Sequence, residues 1–210
     1  MSDESVMRSV ISVIMSHPVI YSNVTRILRG KTKTQRFFDM YVRPWPGCQI
    51  LDIGCGPGDA LNFLPPVDYY GFDQDPFYIE SAKNRFENKG KGKFFCRAVS
   101  RIAFSGEDKF DIILAMGILH HLNDDEAKQL FELAYHLLKP GGRLISYDGC
   151  YTKTQSWMRK FILDIDRGKF VRDEKSYTSL ASTTFAHLLS TVREDLLNVP
   201  YTIIIIECQK

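Results

Sequence analysis

Apolar and polar positions follow two different periods along most of this chain. Residues 48–53 (CQILDI) form a short apolar run that ends at a glycine-rich turn, the pattern of a buried strand. Residues 69–72 and 93–98 read as a second and third strand, 110–115 (FDIILA) as a fourth and 143–147 as a fifth. Helical periodicity fills the gaps. Asp75 is placed to cap a helix with Pro76 at its first position, and Ile79, Ala82, Lys83 and Phe86 follow at helical spacing. A longer helix starts at Asn123, with Glu126 three residues on as in a capping box. Its stripe is Ala127, Leu130, Phe131, Ala134, Leu137 and Leu138, and Lys139-Pro140-Gly141-Gly142 is expected to stop it. Strands alternating with helices predict parallel βαβ units. A polar, helical insert over 151–187 comes next, then strands over 188–193 and 201–207 whose short separation predicts an antiparallel pair at the sheet edge. Before residue 48, Val6, Val10, Ile11 and Ile14 make one helical stripe, Pro18 breaks it, and Val24, Ile27 and Leu28 make a second that Gly30 ends.

Composition narrows the class. At 210 residues, 44% hydrophobic and 25% charged, the chain is an average globular one and is expected to form a single domain over 1–210. The five cysteines are scattered, with no CxxC pair, so neither a disulfide framework nor a metal site is expected. Cys48, Cys96 and Cys208 lie in apolar, strand-like runs and are expected to be buried, reduced thiols. The N-terminus carries no secretory pattern, and the longest apolar runs, such as Ile203–Ile206, fall far short of the ~20 residues that span a bilayer. A cytoplasmic setting without stable membrane insertion is the expectation. Nothing in the pattern selects an oligomeric state.

The chemistry concentrates at Leu51-Asp52-Ile53-Gly54-Cys55-Gly56-Pro57-Gly58-Asp59, at the end of the first strand. Glycines at 54, 56 and 58 allow a sharp turn and close approach of a ligand to the backbone. In an open α/β sheet, ligands bind beyond the carboxyl ends of the strands, at the switch point. Asp59 stands where a dinucleotide fingerprint has its third glycine, and Asp52 at the head of the turn suits a cationic ligand better than a pyrophosphate. Asp73 ends the second strand, where a carboxylate can accept both hydroxyls of a ribose.

At these residues the sequence resembles the class I S-adenosylmethionine-dependent methyltransferases. Residues 52–58 resemble the nucleotide-binding turn, Asp73 the ribose acid, and 110–122 (FDIILAMGILHHL) and 138–143 (LKPGGR) the fourth and fifth strand segments. The resemblance implies a Rossmann-like, doubly wound, mostly parallel seven-stranded α/β sheet with an antiparallel edge hairpin and a small helical cap. Residues 1–44 would be a helical lid and 151–187 the cap. It implies S-adenosyl-L-methionine as cofactor, with Asp52, Gly54, Cys55, Gly56 and Gly58 around its methionine part, Asp73 and Gln74 at the ribose, Met116 near the sulfonium and Tyr21 folding over it. One departure stands out: no acid occurs between Lys91 and Gly106 to hold the adenine amino group, which leaves Ala98 and Val99 to meet the base. In finer grain, His17-Pro18, Tyr21, Asp166-Arg167-Gly168, Val171-Arg172, Tyr177 and Pro200-Tyr201 resemble bacterial methyltransferases of sugar and cell-surface polysaccharide pathways.

A hydroxyl acceptor benefits from a general base, and histidine has the pKa for it. His120 and His121 follow the fourth strand, with His121 slightly favoured, and Tyr147, Asp148 and Tyr151 close the fifth, where they can orient an acceptor. The formal net charge of +2 argues against a DNA-coating protein, but it is unevenly spread. Arg26, Arg29, Lys31, Lys33 and Arg36 give a local +5, residues 151–180 a local +3, and the rest of the chain −6. Basic segments outside the cofactor core suit a small anionic acceptor, with Arg167 and Arg172 as the leading contacts. A solvated or internally paired basic face is the alternative. The competing functions are an NAD-dependent oxidoreductase, a non-catalytic partner protein that kept the fold, and an RNA or protein methyltransferase. Met116-Gly117-Ile118-Leu119 stands where many base-amine methyltransferases carry an Asn-Pro-Pro-Tyr-type tetrad.

Overall fold

The computed structural model describes residues 30–99, 109–165 and 168–210. The strands are β1 (Gln49–Ile53), β2 (Asp68–Asp73), β3 (Lys93–Cys96), β4 (Phe110–Met116), β5 (Leu138–Tyr151), β6 (Arg172–Asp173), β7 (His187–Arg193) and β8 (Ile203–Gln209). Seven of them form one sheet in the order β3-β2-β1-β4-β5-β8-β7, and the two-residue β6 pairs with the end of β5. Strands β1 to β5 run parallel, while β8 lies antiparallel to both β5 and β7, which makes the edge hairpin. Because β1 is flanked by β2 on one side and β4 on the other, the switch point falls at its carboxyl end.

The helices are α1 (Lys31–Phe37), which runs on as a π-helical turn over Phe38–Val42, then α2 (Pro76–Arg85), α3 (Asp124–Leu137), α4 (Trp157–Ile165) and α5 (Glu174–Ser182). Local chemistry sets their starts. The Asp75 side chain accepts from the N–H groups of Phe77 and Tyr78, with Pro76 at the first helical position. Asn123 and Glu126 close a full capping box on α3, and Asp124 and Asp125 join Glu126 in complementing the positive helix end. The pleat sorts the strand residues into two cores. Leu51, Ile113, Leu144 and Ile206 face α3 and α5, and their neighbours Ile50, Ile112, Ile145 and Ile205 face α1 and α2.

Three boundaries differ from the sequence expectation. Strand β3 ends at Cys96 rather than at residue 98, so Ala98 and Val99 lie beyond it. Strand β8 is displaced toward the C-terminus. Strand β5 begins directly after α3, and the Lys139–Gly142 stretch is taken up in a register shift against β4, with Gly141 at φ 77°. A larger difference concerns 151–187. Tyr177, Leu180 and Ala181 of α5, with Phe185, are buried beside α3 against the sheet, so this part of the expected cap is a flanking layer of the fold. The predicted N-terminal stripes and Tyr21 lie outside the described residues, as do residues 100–108 and Asp166-Arg167.

Candidate active site

The turn after β1 is tied down before any ligand arrives. Gly54 and Cys55 donate their N–H groups to the carbonyl of Phe72, and Gly56 donates to Asp73 Oδ2 at 2.9 Å. Asp73 Oδ1 accepts from the N–H of Asp75 at 2.9 Å. A carboxylate offers about four lone-pair sites, so two backbone donors leave room for the two hydroxyls of a ribose. Gly54, Gly56 and Gly58 have φ of 72°, 53° and 77°, in the left-handed region. A Cβ at Gly54 would lie 2.9 Å from Ile118, and one at Gly58 3.0 Å from the Phe94 ring, whereas one at Gly56 would meet nothing within 4 Å. The turn is packed from behind and open at Gly56, as a cradle for a ligand must be.

Two members of this turn act differently from the sequence expectation. Asp52 is 1% exposed, and its Oδ2 accepts from the Tyr69 hydroxyl at 2.6 Å. It braces the turn from within rather than presenting a charge at its surface. Cys55 is also buried, where a Cβ on Gly71 would lie 2.8 Å from its sulfur, and the thiol donates to the Gly56 carbonyl at 3.5 Å. Burial, with Asp52 and Asp73 nearby, pushes its thiol pKa far up. Gln74 is exposed beside Asp73, Ala98 is exposed past the end of β3, and Val99 packs on the α3-side core.

At the end of β4, Met116 pairs in register with Tyr147, and Gly117 donates to the Tyr147 carbonyl at 2.7 Å. The Tyr147 ring meets Phe37 of α1 edge-on at 5.0 Å. The chain then turns through Leu119–His121. His121 is exposed. His120 is buried, and its Nδ1 lies 2.8 Å from Asp148 Oδ1, which also accepts the His120 N–H at 3.2 Å. The two imidazoles are 4.2 Å apart. Strand alternation places Tyr147 and Asp148 on opposite faces of the sheet, so the structure brings His120 to Asp148 and leaves Tyr147 with α1. The His120–Asp148 pairing spans 28 positions and had no local signal beyond the placement of both residues at strand ends.

Arg172 is the clearest correction. Its Nε and Nη2 donate to Asp124 Oδ1 at 3.0 and 2.7 Å, Nη1 to the carbonyls of Leu119 and Phe170 at 3.1 and 2.9 Å, and Nη2 to that of Leu122 at 2.7 Å. The guanidinium is saturated by the chain itself, so it pins the 168–172 segment over the His120 turn instead of waiting for an acceptor phosphate. Cys96 is a second correction: it is exposed, because it ends an edge strand. Cys48 and Cys208 are buried as expected. A depression of about 530 Å³ lined by Asp39, Arg43, Pro44 and Pro65 opens at the amino ends of β1 and β2, away from all these groups. Among the described residues no cluster of His, Cys, Asp and Glu could hold a metal ion, and no helix is long and apolar enough to cross a membrane.

The comparisons agree with this geometry. The fold is shared with a TehB-like SAM-dependent methyltransferase from Corynebacterium glutamicum, at a TM-score of 0.61 and 18% identity over 93% of this chain and 99% of that one. Residues 50–142 match a family described as a methyltransferase domain. Over 104 residues the chain is 34% identical to the probable tRNA methyltransferase 9B of Homo sapiens, covering 49% of this chain and 21% of that protein. It is 30% identical to a ubiquinone biosynthesis O-methyltransferase of Cereibacter sphaeroides, covering 49% and 41%. The chain thus spans about a fifth and about two fifths of the length of these curated relatives. The cradle fits S-adenosylmethionine: Asp73 has acceptor capacity for a ribose, and a Cβ at Gly56 would meet nothing within 4 Å.

Proposed function

We propose that the chain transfers a methyl group from S-adenosylmethionine to a small anionic acceptor, of the sugar-phosphate or nucleotide-sugar class. The observation that carries the cofactor half is Asp73, held by two backbone N–H groups at the switch point with acceptor capacity to spare. When bound, the cofactor supplies a methyl activated as a sulfonium, so the protein's task is positioning and electrostatics. Asp73 and Gln74 would hold the ribose, the backbone of 54–58 the methionine part, Ala98 and Val99 the adenine, and Met116 the region of the sulfur, with Tyr21 closing over it. The anionic acceptor is supported by charge. Lys153, Lys160, Lys169 and Lys175 are exposed and form no ion pair among the described residues, whereas Arg159 is paired with Glu194 and Arg172 with Asp124. Arg167 remains the leading phosphate contact and lies outside the described residues.

Calorimetry with S-adenosylhomocysteine tests the first half. The wild type is expected to bind, and Asp73→Ala to bind about 10- to 100-fold more weakly, the worth of hydrogen bonds to a charged acceptor. For the second half, Arg167→Ala is expected to raise the acceptor KM and leave S-adenosylhomocysteine affinity unchanged. Equal acceptor kinetics in both proteins would exclude Arg167 from the acceptor site. An RNA acceptor is the second reading, favoured by the human tRNA methyltransferase relative. Saturable methylation of bulk tRNA with no turnover of sugar phosphates would select it.

A further inference from the structure

Asp148 presents a feature that cofactor binding leaves unexplained. Its side chain is 0% exposed, yet only Oδ1 is engaged, and Oδ2 has no hydrogen-bond partner among the described residues. A buried, half-satisfied carboxylate is costly and calls for a reason. Among the described residues its one side-chain hydrogen-bond partner is an imidazole, His120 Nδ1 at 2.8 Å. A carboxylate only accepts, so in the neutral ring the proton sits on Nδ1 and the basic lone pair on Nε2. The ring carbons on either side of Nε2 lie against two residues without side chains. A Cβ on Gly168 would lie 2.3 Å from Cδ2, and one on Gly117 would lie 3.8 Å from Cε1. Gly117 directly follows Met116, at the carboxyl end of β4. The imidazole is 8% exposed against 0% for Asp148, so it is the ring that reaches the surface of the pair. Three groups fix this arrangement or feel its charge. Arg172 holds the carbonyl of the preceding Leu119, Tyr177 donates to the Gly149 carbonyl beside Asp148, and the exposed His121 ring stacks 4.2 Å from His120.

Resting on the methyltransferase reading above, we infer that His120, oriented by Asp148, is the general base for a hydroxyl acceptor, which makes the reaction an O-methylation. An amine that arrives as the free base sheds its proton after transfer, and a carboxylate or phosphate oxygen arrives without one. Of these acceptors, only a hydroxyl holds at neutral pH a proton that a base must take during transfer. In that step the O–H proton passes to His120 Nε2 as an oxygen lone pair forms the O–CH3 bond. The C–S bonding pair leaves with sulfur as the thioether, and the imidazolium that forms is neutralised by the Asp148 carboxylate. Asp148 is a positioning residue, since it acts only through His120.

Two measurements decide the inference. Ring nitrogen NMR on 15N-histidine protein saturated with S-adenosylhomocysteine is expected to show His120 as the Nδ1–H tautomer in the wild type. In Asp148→Asn the Nε2–H form is expected to grow in and the imidazole pKa to fall. Labelled-methyl transfer is then followed with glucose 1-phosphate and UDP-glucose as hydroxyl probes and glucosamine 1-phosphate as the amine counterpart. Asp148→Asn and His120→Gln are expected to lower kcat on the hydroxyl probes at least 100-fold while keeping S-adenosylhomocysteine affinity within about twofold. Asp148→Asn, nearly isosteric, should also move the acidic limb of kcat/KM to lower pH. An unchanged tautomer in Asp148→Asn, full kcat in His120→Gln, or turnover of the amine probe alone overturns the dyad. Failure of the wild type to bind S-adenosylhomocysteine counts against the underlying reading instead.

Discussion

Burial divides the five thiols by reactivity. Desolvation raises the pKa of Cys48 and Cys55, and it pushes Cys150 and Cys208 up to about 12, so at pH 8 these four remain as inert thiols. Cys96 is exposed at the end of β3, its sulfur 3.7 Å from the Gln74 carbonyl beside the ribose acid. Titration with a disulfide reagent at pH 8 should therefore find one fast thiol in the folded protein and five in denaturant. Saturating S-adenosylhomocysteine should slow the fast one several-fold, and Cys96→Ser should remove it. A reactive thiol that the ligand leaves equally exposed would place the nucleoside elsewhere. Single residues of the cradle were legible in the sequence, because Gly54, Gly58 and Asp73 are constrained by backbone geometry that only their residue types satisfy. The partners that give Asp52, His120 and Arg172 their roles were not. Tyr69, Asp148 and Asp124 lie 17, 28 and 48 positions away, and no local pattern encodes such meetings.

Elements whose signals are local behaved as their chemistry dictates. The capping box and the stripe of α3 were both readable, because each needs only residues within one helix. Asn123→Ala should cost about 1 kcal/mol of unfolding free energy in urea, since Asn123 Oδ1 caps two N–H groups at 3.0 Å each. Helix α5 shows the opposite case. Its sequence, EKSYTSLAS, is mostly polar, and its three buried residues are too few to stand out as a stripe. What fixes it is tertiary: Tyr177 donates to the Gly149 carbonyl, and Phe185 meets Phe131 and Tyr135 edge-on. Leu180→Ala separates a flanking layer from a detachable cap. A core position should cost about 2–5 kcal/mol, read as a lower urea midpoint with unchanged slope, whereas a cap position would cost well under 1.

For the whole molecule, the small net charge conceals how the acidic remainder and the basic segments hold each other. Arg143 donates to the carbonyls of Tyr41 and Val42, Arg43 pairs with Glu207 of β8, and Arg193 at the end of β7 takes Asp195 in a two-pronged pair at 2.7 Å while its third nitrogen meets the Tyr41 hydroxyl at 2.7 Å. These contacts fasten the 31–43 helical segment to the antiparallel edge of the sheet, and Arg36 of the basic stretch also pairs with Asp195 at 3.3 Å, so part of the basic excess is structural and does not await a ligand. Arg193, with Arg36 behind it, holds the Asp195 carboxyl down at about 2, below its usual value near 3.9. A depressed carboxylate pKa contributes stability that is complete above the unfolded value and vanishes as pH falls through the folded one. The window here is from about pH 4 down to about pH 2. Asp195 is half-exposed, so solvent screening limits its share to the ~0.2–1 kcal/mol of a surface pair. In a 210-residue chain this corresponds to a melting temperature about 1–3 °C lower for Asp195→Asn at pH 6. That gap should close progressively between pH 4 and pH 2, and it should shrink in 0.5 M salt at pH 6. A gap that persisted unchanged at pH 2 would mean that Asp195 stabilises this edge through packing and not through its charge.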